Sequence, residues 1–575
     1  MVSVRRRPAF MFRITKLGLL LAVLSALTAC GGSSGSSGGT GVTVLPSGVQ
    51  VLAGASQQMT ATAADGGTTF TWQVNGIAGG NSTLGTISTT GLYTAPNLPP
   101  AGGKVTITAT EQGNSGASGS ATLSLGFSNV SLSGANALSL SGRNQGAPWF
   151  AIGEFNANGS GQISGGLLDT NNGTVIQSKF PFTGSYTVNP DGTGNITLGT
   201  LNFQLVLQAD GSAFLLSTTN GTILTGSTSA QDPSAGNVAS FTAPLVLSAG
   251  GQSGNQGFSQ LALVNTSGGG NISGYEDVSG SKPLIRIAWS GSYTFDGNDH
   301  GTLTIMDSNG NHAYSFYVVS AEDYVLLSTD PAVTASGNIN SQTAVTYSNN
   351  SLTEPYVFLI SGNSATQGFA QAGQFNPNGL GNLNNVTEDI NIPGNLQTDL
   401  TTSGTYSFDA TVNGRGTFML NGQGASAPQN YTFYMLSPQL AEFMTAGSSF
   451  VGGGYIVMQT QGSSFSNASL SGAYGLALGA QTGSASMSAS VGTLDLDGNG
   501  SLSGSMIQNL NGSVSSALSL SGSYMLSGGV RGTAMLTSSG GGSSPFAIYP
   551  VNPSVFLLIG TNSASPYFGI ATNQN

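Results

Sequence analysis

The sequence predicts an all-β chain: one small β-sandwich, then four tandem antiparallel β-barrels or sandwiches, behind an N-terminal signal helix. Three observations carry this. The 575 residues include 87 Gly and only 6% charged residues against 38% hydrophobic ones, a mixture of turn formers and strand formers with enough apolar surface to fold. Apolar and small polar residues alternate with period two in short runs between Gly, Asn and Ser breaks. One short landmark recurs four times at regular intervals. A chain of this length suits about four to six domains of ~100–150 residues each.

The first element is an export signal, residues 1–29. Arg5, Arg6, Arg7, Arg13 and Lys16 precede a mostly apolar run from Leu17 to Ala29, which suits a signal-peptide core and falls short of the ~20 residues that span a bilayer. The run ends in Leu27-Thr28-Ala29-Cys30, which resembles the lipobox of bacterial lipoproteins. That resemblance implies cleavage between Ala29 and Cys30, lipid on Cys30 and a membrane as partner. Gly31 carries no aspartate retention signal, and by resemblance to the common sorting rule this favours the outer membrane, facing the periplasm or the cell exterior. Cys30 is the only cysteine, so no disulfide within the chain can staple the later domains. Cleavage removes five of the 12 basic residues and no acid, leaving 7 against 23 acidic ones, a formal charge of −16. Such a chain lacks the basic face that phosphate binding needs, and nucleic acid is not an expected partner. Residues 30–41, almost all Gly and Ser, form a flexible tether.

Residues 42–126 carry short β-rich runs at the spacing of a small sandwich. Gly54 to Thr62, Phe70-Thr71-Trp72-Gln73-Val74-Asn75-Gly76, and Gly85-Thr86-Ile87-Ser88-Thr89-Thr90-Gly91-Leu92-Tyr93-Thr94-Ala95-Pro96 are similar to bacterial Ig-like domains of the group 2 type, as is the closing Val105 to Thr110. The family implies a stalk or spacer module. Trp72 alternates with Phe70 and Val74 and is expected in the core.

Four related copies fill the rest, 127–238, 239–350, 351–462 and 463–575. Phe127 to Ala135 recurs as Phe465 to Ala473 with one difference. The landmark is Gly184-Ser185-Tyr186, Gly291-Ser292-Tyr293, Gly404-Thr405-Tyr406 and Gly522-Ser523-Tyr524, at spacings of 107, 113 and 118 residues. Each opens a strand of a hairpin whose return begins at Gly194, Gly301, Gly416 and Gly532. Each copy closes near a glutamine: Gln231, Gln342, Gln459 and Gln574. About eight strands per copy and this period suit separate small barrels or sandwiches, each with its own core, strung out as a rod above Cys30.

Candidate chemistry is sparse, and no cofactor is expected. His300 and His312 fall in one copy beside Asp and Asn residues and read as exposed turn histidines, because a nucleophilic triad also needs an oriented base and an oxyanion hole. Glu276-Asp277, Glu322-Asp323 and Glu388-Asp389 are adjacent, so in a strand they point to opposite faces, a poor geometry for paired acid and base. Asp495, Asp497 and Asn499 occupy positions one, three and five of a loop with Gly500 at six, as in calcium loops. Position twelve is Met506 and other copies place Asn-rich turns there, so this is a weak calcium candidate and otherwise the repeat's ordinary turn. The expected function is a non-catalytic, membrane-anchored lipoprotein for surface adhesion or envelope interaction, with a cell-wall, glycan or protein ligand. A small-ligand-binding or carbohydrate-binding barrel and a passive envelope spacer are the alternatives.

Overall fold

The computed structural model describes residues 41–574, except for segments 114–115, 236–238, 242–243, 298, 365, 423–429, 448, 461–463, 482–486 and 564–565. The signal helix, Ala29, Cys30 and all but the last residue of the tether lie outside the described residues.

Residues 42–126 form a sandwich of short strands. One sheet runs Gln50–Leu52, Ser118–Gly126, Lys104–Glu111, Phe70–Val74 and Ile77–Ala78, the other Ser56–Gln58, Leu92–Thr94, Gly85–Ile87 and Gly80–Asn81. Val74, Tyr93, Ile107 and Leu123 fill the space between them, and Trp72 is buried there as its alternation predicts. The sandwich rests on the barrel that follows: Ser128 Oγ donates to the Ala53 carbonyl at 2.9 Å.

Each later copy is a closed, eight-stranded, up-and-down barrel. The strands run from Gly134–Asn144 to Thr222–Ala230, from Leu245–Ser253 to Val333–Ser341, from Tyr356–Asn363 to Val451–Met458, and from Ser471–Gln481 to Tyr567–Asn573. The landmark tyrosine explains its own recurrence. In the first, third and fourth barrels a short turn plugs one end, and the Tyr186, Tyr406 and Tyr524 hydroxyls donate to the Asn129, Asn349 and Asn467 carbonyls at 3.1, 3.0 and 3.2 Å. The same three asparagines accept from Val188, Phe408 and Leu526 N through their side chains. In the second barrel Phe241 takes the place of that turn and packs 4.4 Å from the Tyr293 ring.

The expected rod is not what forms. The barrels close on one another as a four-membered ring, first to second to third to fourth and back to first. Outward-facing residues of all four join one continuous buried cluster, including Val206 and Leu216, Val246 and Leu263, Val357 and Leu359, and Val491 and Leu557. The barrels therefore have separate interiors and one shared exterior core. Ala213–Ser217, Asp323–Ser328, Leu440–Thr445 and Val555–Gly560 are buried on both faces throughout, which a free-standing barrel would leave half wet.

Two sets of repeated polar contacts fix the ring. The glutamine closing each copy reaches into the next barrel: Gln231, Gln342 and Gln459 Nε2 donate to the Val318, Met435 and Pro550 carbonyls, each at 2.7 Å. Gln574 donates back to the Leu207 carbonyl of the first at 2.9 Å. In the same cyclic sense Asn171 donates to the Ser328 carbonyl at 2.7 Å, Ser279 to that of Gly447, Asn391 to that of Gly560 at 2.6 Å, and Asn509 to that of Thr222 at 2.8 Å. A Cβ on Gly512, whose φ is +88°, would lie 2.8 Å from Gly221, so this turn demands glycine where the fourth barrel meets the first.

Three of the four interfaces add a buried ionic group. Asp277 receives Arg415 through Nε at 2.8 Å and Nη2 at 2.7 Å, and the Tyr434 hydroxyl at 2.7 Å. Asp389 likewise receives Arg531 at 2.7 and 2.8 Å and the Tyr549 hydroxyl. Asp169 takes His300 at 3.0 Å and Tyr317 at 3.2 Å. Each Asp also accepts a backbone N–H from its own barrel, Arg286, Asp399 or Lys179. Those three donors have φ of +52°, +56° and +52°, a conformation that costs a non-Gly residue energy and that this bond offsets. Register places Ile507, Thr193 and Val206 at the corresponding positions where the fourth barrel meets the first.

Candidate functional site

The end of each barrel opposite its plug is a mouth, and the mouths differ. In the first barrel the inward positions hold Ala151, Leu168, Leu201 and Phe203, all within or packed against the apolar interior. In the second barrel the same positions in register hold Gln260, Glu276, His312 and Tyr314. There a pocket of about 290 Å³ opens, lined by Phe258, Gln260, Asp307, His312, Tyr314 and Asp330 among others, close to the lower bound of small-molecule sites, about 300 Å³.

Its polar groups form a chain. The Tyr314 hydroxyl donates to Gln260 Oε1 at 2.7 Å, and Gln260 Nε2 to Glu276 Oε2 at 2.6 Å. Burial pushes the Glu276 carboxyl up to about 8, Asp307 and Asp277 add to the rise, and the Gln260 bond opposes it. Near neutral pH Glu276 therefore holds a proton. Asp307 Oδ1 accepts from Asn309 and Gly310 N, and its Oδ2 lies 3.3 Å from His312 Nε2. His312 Nδ1 is 3.4 Å from Asp330 Oδ2. The pocket thus offers two carboxylates, an imidazole and an amide beside the Phe258 ring, with a proton-bearing acid one layer beneath.

The third barrel repeats the inner part and closes the outer. Tyr431 donates to Gln371 at 2.5 Å and Gln371 to Glu388 at 2.7 Å, and burial pushes the Glu388 carboxyl up to about 7. Phe369 and Phe450, 5.2 Å apart edge to face, lie at the register positions of Phe258 and Val333.

The residues singled out in the sequence fall as follows. The turn-histidine expectation is corrected: His300 is 2% exposed, clamped between Asp169 at 3.0 Å and Asp296 at 2.7 Å across the first interface. Burial alone would lower its pKa, but those two carboxylates raise it on balance. His312 is 24% exposed and faces the mouth. Glu276 and Asp277 do point to opposite faces, one into the second barrel and the other to Arg415 of the third. The sequence did not reveal that Glu276 meets Asp307, 31 residues away; only the sheet register brings them together. Asp497 Oδ1 accepts from Asn499 N at 2.7 Å and Ser501 N at 2.9 Å, the turn that Asn158 makes with Ser160 and Gln162 and Asn378 with Leu380 and Asn382. Asp495 is pushed up by burial and by Asp191 of the first barrel. Among the described residues no group of three or more His, Cys, Asp or Glu side chains is placed to hold a metal ion.

No protein-family description matches the sequence, and no curated protein does. Among solved structures, kievitone hydratase from Nectria haematococca aligns with 57% of this chain and 90% of its own, at 11% identity and a TM-score of 0.12.

Proposed function

We propose that the protein is a non-catalytic lipoprotein, held to the outer membrane through Cys30, whose ring of barrels binds a hydroxyl-rich small ligand or glycan at the mouth of the second barrel. The observation that carries this reading is the 290 Å³ pocket, where acceptors on Asp307 and Asp330, a donor on His312 and the Phe258 ring converge. Hydroxyl pairs suit such acceptors, and an aromatic face suits the apolar side of a sugar ring. Sandwich and tether hold the ring away from the membrane, so the mouth meets envelope polymers or solutes. The test is a glycan and cell-wall fragment array probed with the mature protein. His312→Leu, which installs the first barrel's Leu201 at the matching position, is expected to abolish the signal while the ring still elutes and melts as wild type. Uniform silence of the wild type, or binding unaffected by His312→Leu, would overturn the pocket reading. Cys30→Ser is expected to move the protein from the membrane to the soluble fraction; retention there would overturn the anchor.

An adhesive role without a bound small ligand is the second reading, and the ring favours it by holding four equivalent sets of turns in fixed register. Multivalent contacts gain from such fixed geometry. Strong binding to matrix or cell-wall polymers that His312→Leu leaves intact would select it.

A further inference from the structure

The closing strand of the second barrel carries a polar strip inside the ring. Ile339 joins the interior cluster of that barrel, so Asn338 and Asn340 point outward, where a lone barrel would leave them wet. Both are instead 0% exposed, and neither Oδ1 nor Nδ2 of either residue meets a hydrogen-bond partner in the protein. Buried amides are ordinarily paired, because desolvation without a partner is costly. In register Asn340 lies opposite Asp323, which is 1% exposed, and Asn338 opposite Val325. On the other side they lie opposite Val246 and Ser248. Val325 shares a buried cluster with Ala137, Phe150 and Ile152 of the first barrel, and Val246 belongs to the cluster formed by all four, so the strip is sealed between them. The fold does not require polar residues here. At the matching positions the third barrel has Leu440, Tyr455 and Val457, all members of the shared core. In the second barrel an acid and two amides take their place.

We propose that this strip binds one alkali-metal cation, sodium or potassium, in the core of the ring. Hard cations take carboxylate and amide oxygens, which Asp323, Asn338 and Asn340 supply, and one carboxylate balances one positive charge, as a buried ion needs. Water retained by the ion accepts from the amide nitrogens. The site is separate from the mouth of the second barrel and stands independently of the function proposed above. The test is thermal melting of the mature protein at fixed ionic strength, with N-methylglucamine, lithium, sodium or potassium as the only cation. Sodium or potassium is expected to raise the melting temperature saturably, by at least about 2 °C over N-methylglucamine. Asn340→Val, which installs the third barrel's residue, is expected to abolish that rise. In N-methylglucamine the variant should melt no lower than wild type, since it removes two unpaired polar atoms and has no ligand to lose. Equal melting in all four cations, or a rise that Asn340→Val leaves intact, would overturn the proposal. The comparison of cations on the wild type decides it even if the variant fails to fold.

Discussion

The contact between the second and third barrels and the contact between the fourth and first join the same edges of the same fold by opposite means. At the former, Asp277, Arg415 and Tyr434 form a buried, bidentate ionic group. At the latter, Ile507 packs against the cluster holding Val206, and Thr193 stands in place of the cation. Both keep the glutamine latch and a side-chain bond to the neighbour's turn, from Ser279 at the one and Asn509 at the other. The latch and the side-chain bond to the neighbour's turn are thus the common device, and the ionic group is an addition. A buried ion pair contributes little net stability over well-packed apolar residues, yet losing one partner is costly. The ionic interfaces are therefore the more fragile to single substitution and the more selective about which barrel they accept.

The largest expected effect follows from that asymmetry. Asp277→Ala takes its bidentate partner from Arg415, 6% exposed and otherwise paired with Asp409 at 3.3 Å, and should destabilise the ring by about 3–5 kcal/mol in denaturant unfolding; a loss below 1 kcal/mol would show that Asp409 and water take over the charge. At the seam, Val206→Ala removes two methyl groups from a fully buried position and should cost about 2 kcal/mol, with no dependence on pH between 5 and 9.

The first interface lies between these two because its cation is His300. A raised folded pKa means that its contribution is complete below the unfolded value of about 6.5 and is lost as pH climbs through the folded value. Asp169 and Asp296 are held below their ordinary range: burial works against it, but the bonds from His300, from the Lys179 backbone to Asp169 and from the Lys179 side chain to Asp296 prevail. Their contribution is present above about 3.9 and lost as pH falls through the folded values. The ionic stabilisation of this interface thus fills a window bounded below by the lowered pKa values of Asp169 and Asp296 and above by the raised pKa of His300. Raising the pH from 6 through the folded pKa of His300 should lower the melting temperature, and His300→Arg should remove the drop. The smallest effect is expected from moving the ionic group to the seam. The triple variant Ile507→Asp, Thr193→Arg and Val206→Tyr should change stability by less than about 1 kcal/mol, since a complete group roughly breaks even with apolar packing; a gain of several would reverse the comparison.

What could be read in the sequence is what repeats. The landmark tyrosines, the hairpin glycines and the closing glutamines stood out because each does the same job in every barrel or in three of four. The ring did not, because its ionic members occupy register positions whose identity changes: Asp169, Asp277, Asp389 and Ile507, facing Tyr317, Tyr434, Tyr549 and Val206. A usable signal was nevertheless present. Ala213-Phe214-Leu215-Leu216 and Val555-Phe556-Leu557-Leu558-Ile559 are unbroken apolar runs in a chain that otherwise alternates, and such runs mark strands covered on both faces. The pocket was hidden for a different reason. Glu276, Asp307 and His312 come from three separate strands and Asp330 from a loop, and nothing in their spacing announces that barrel closure brings them together.

The seam also has a dimension in time. Asn509 and Ser217, bonded across it, are 292 residues apart, while the other contacts of this kind join consecutive barrels. At ribosomal rates the first barrel precedes its last partner by roughly 15–60 s. Through that interval Val206, Phe214, Leu216 and Ile223 form an apolar face with nothing yet made to cover it. Of the four contacts, the seam is therefore the one where a second, unfinished copy could dock by mistake, and its Gly221–Gly512 contact admits only a partner with bare backbone at that point.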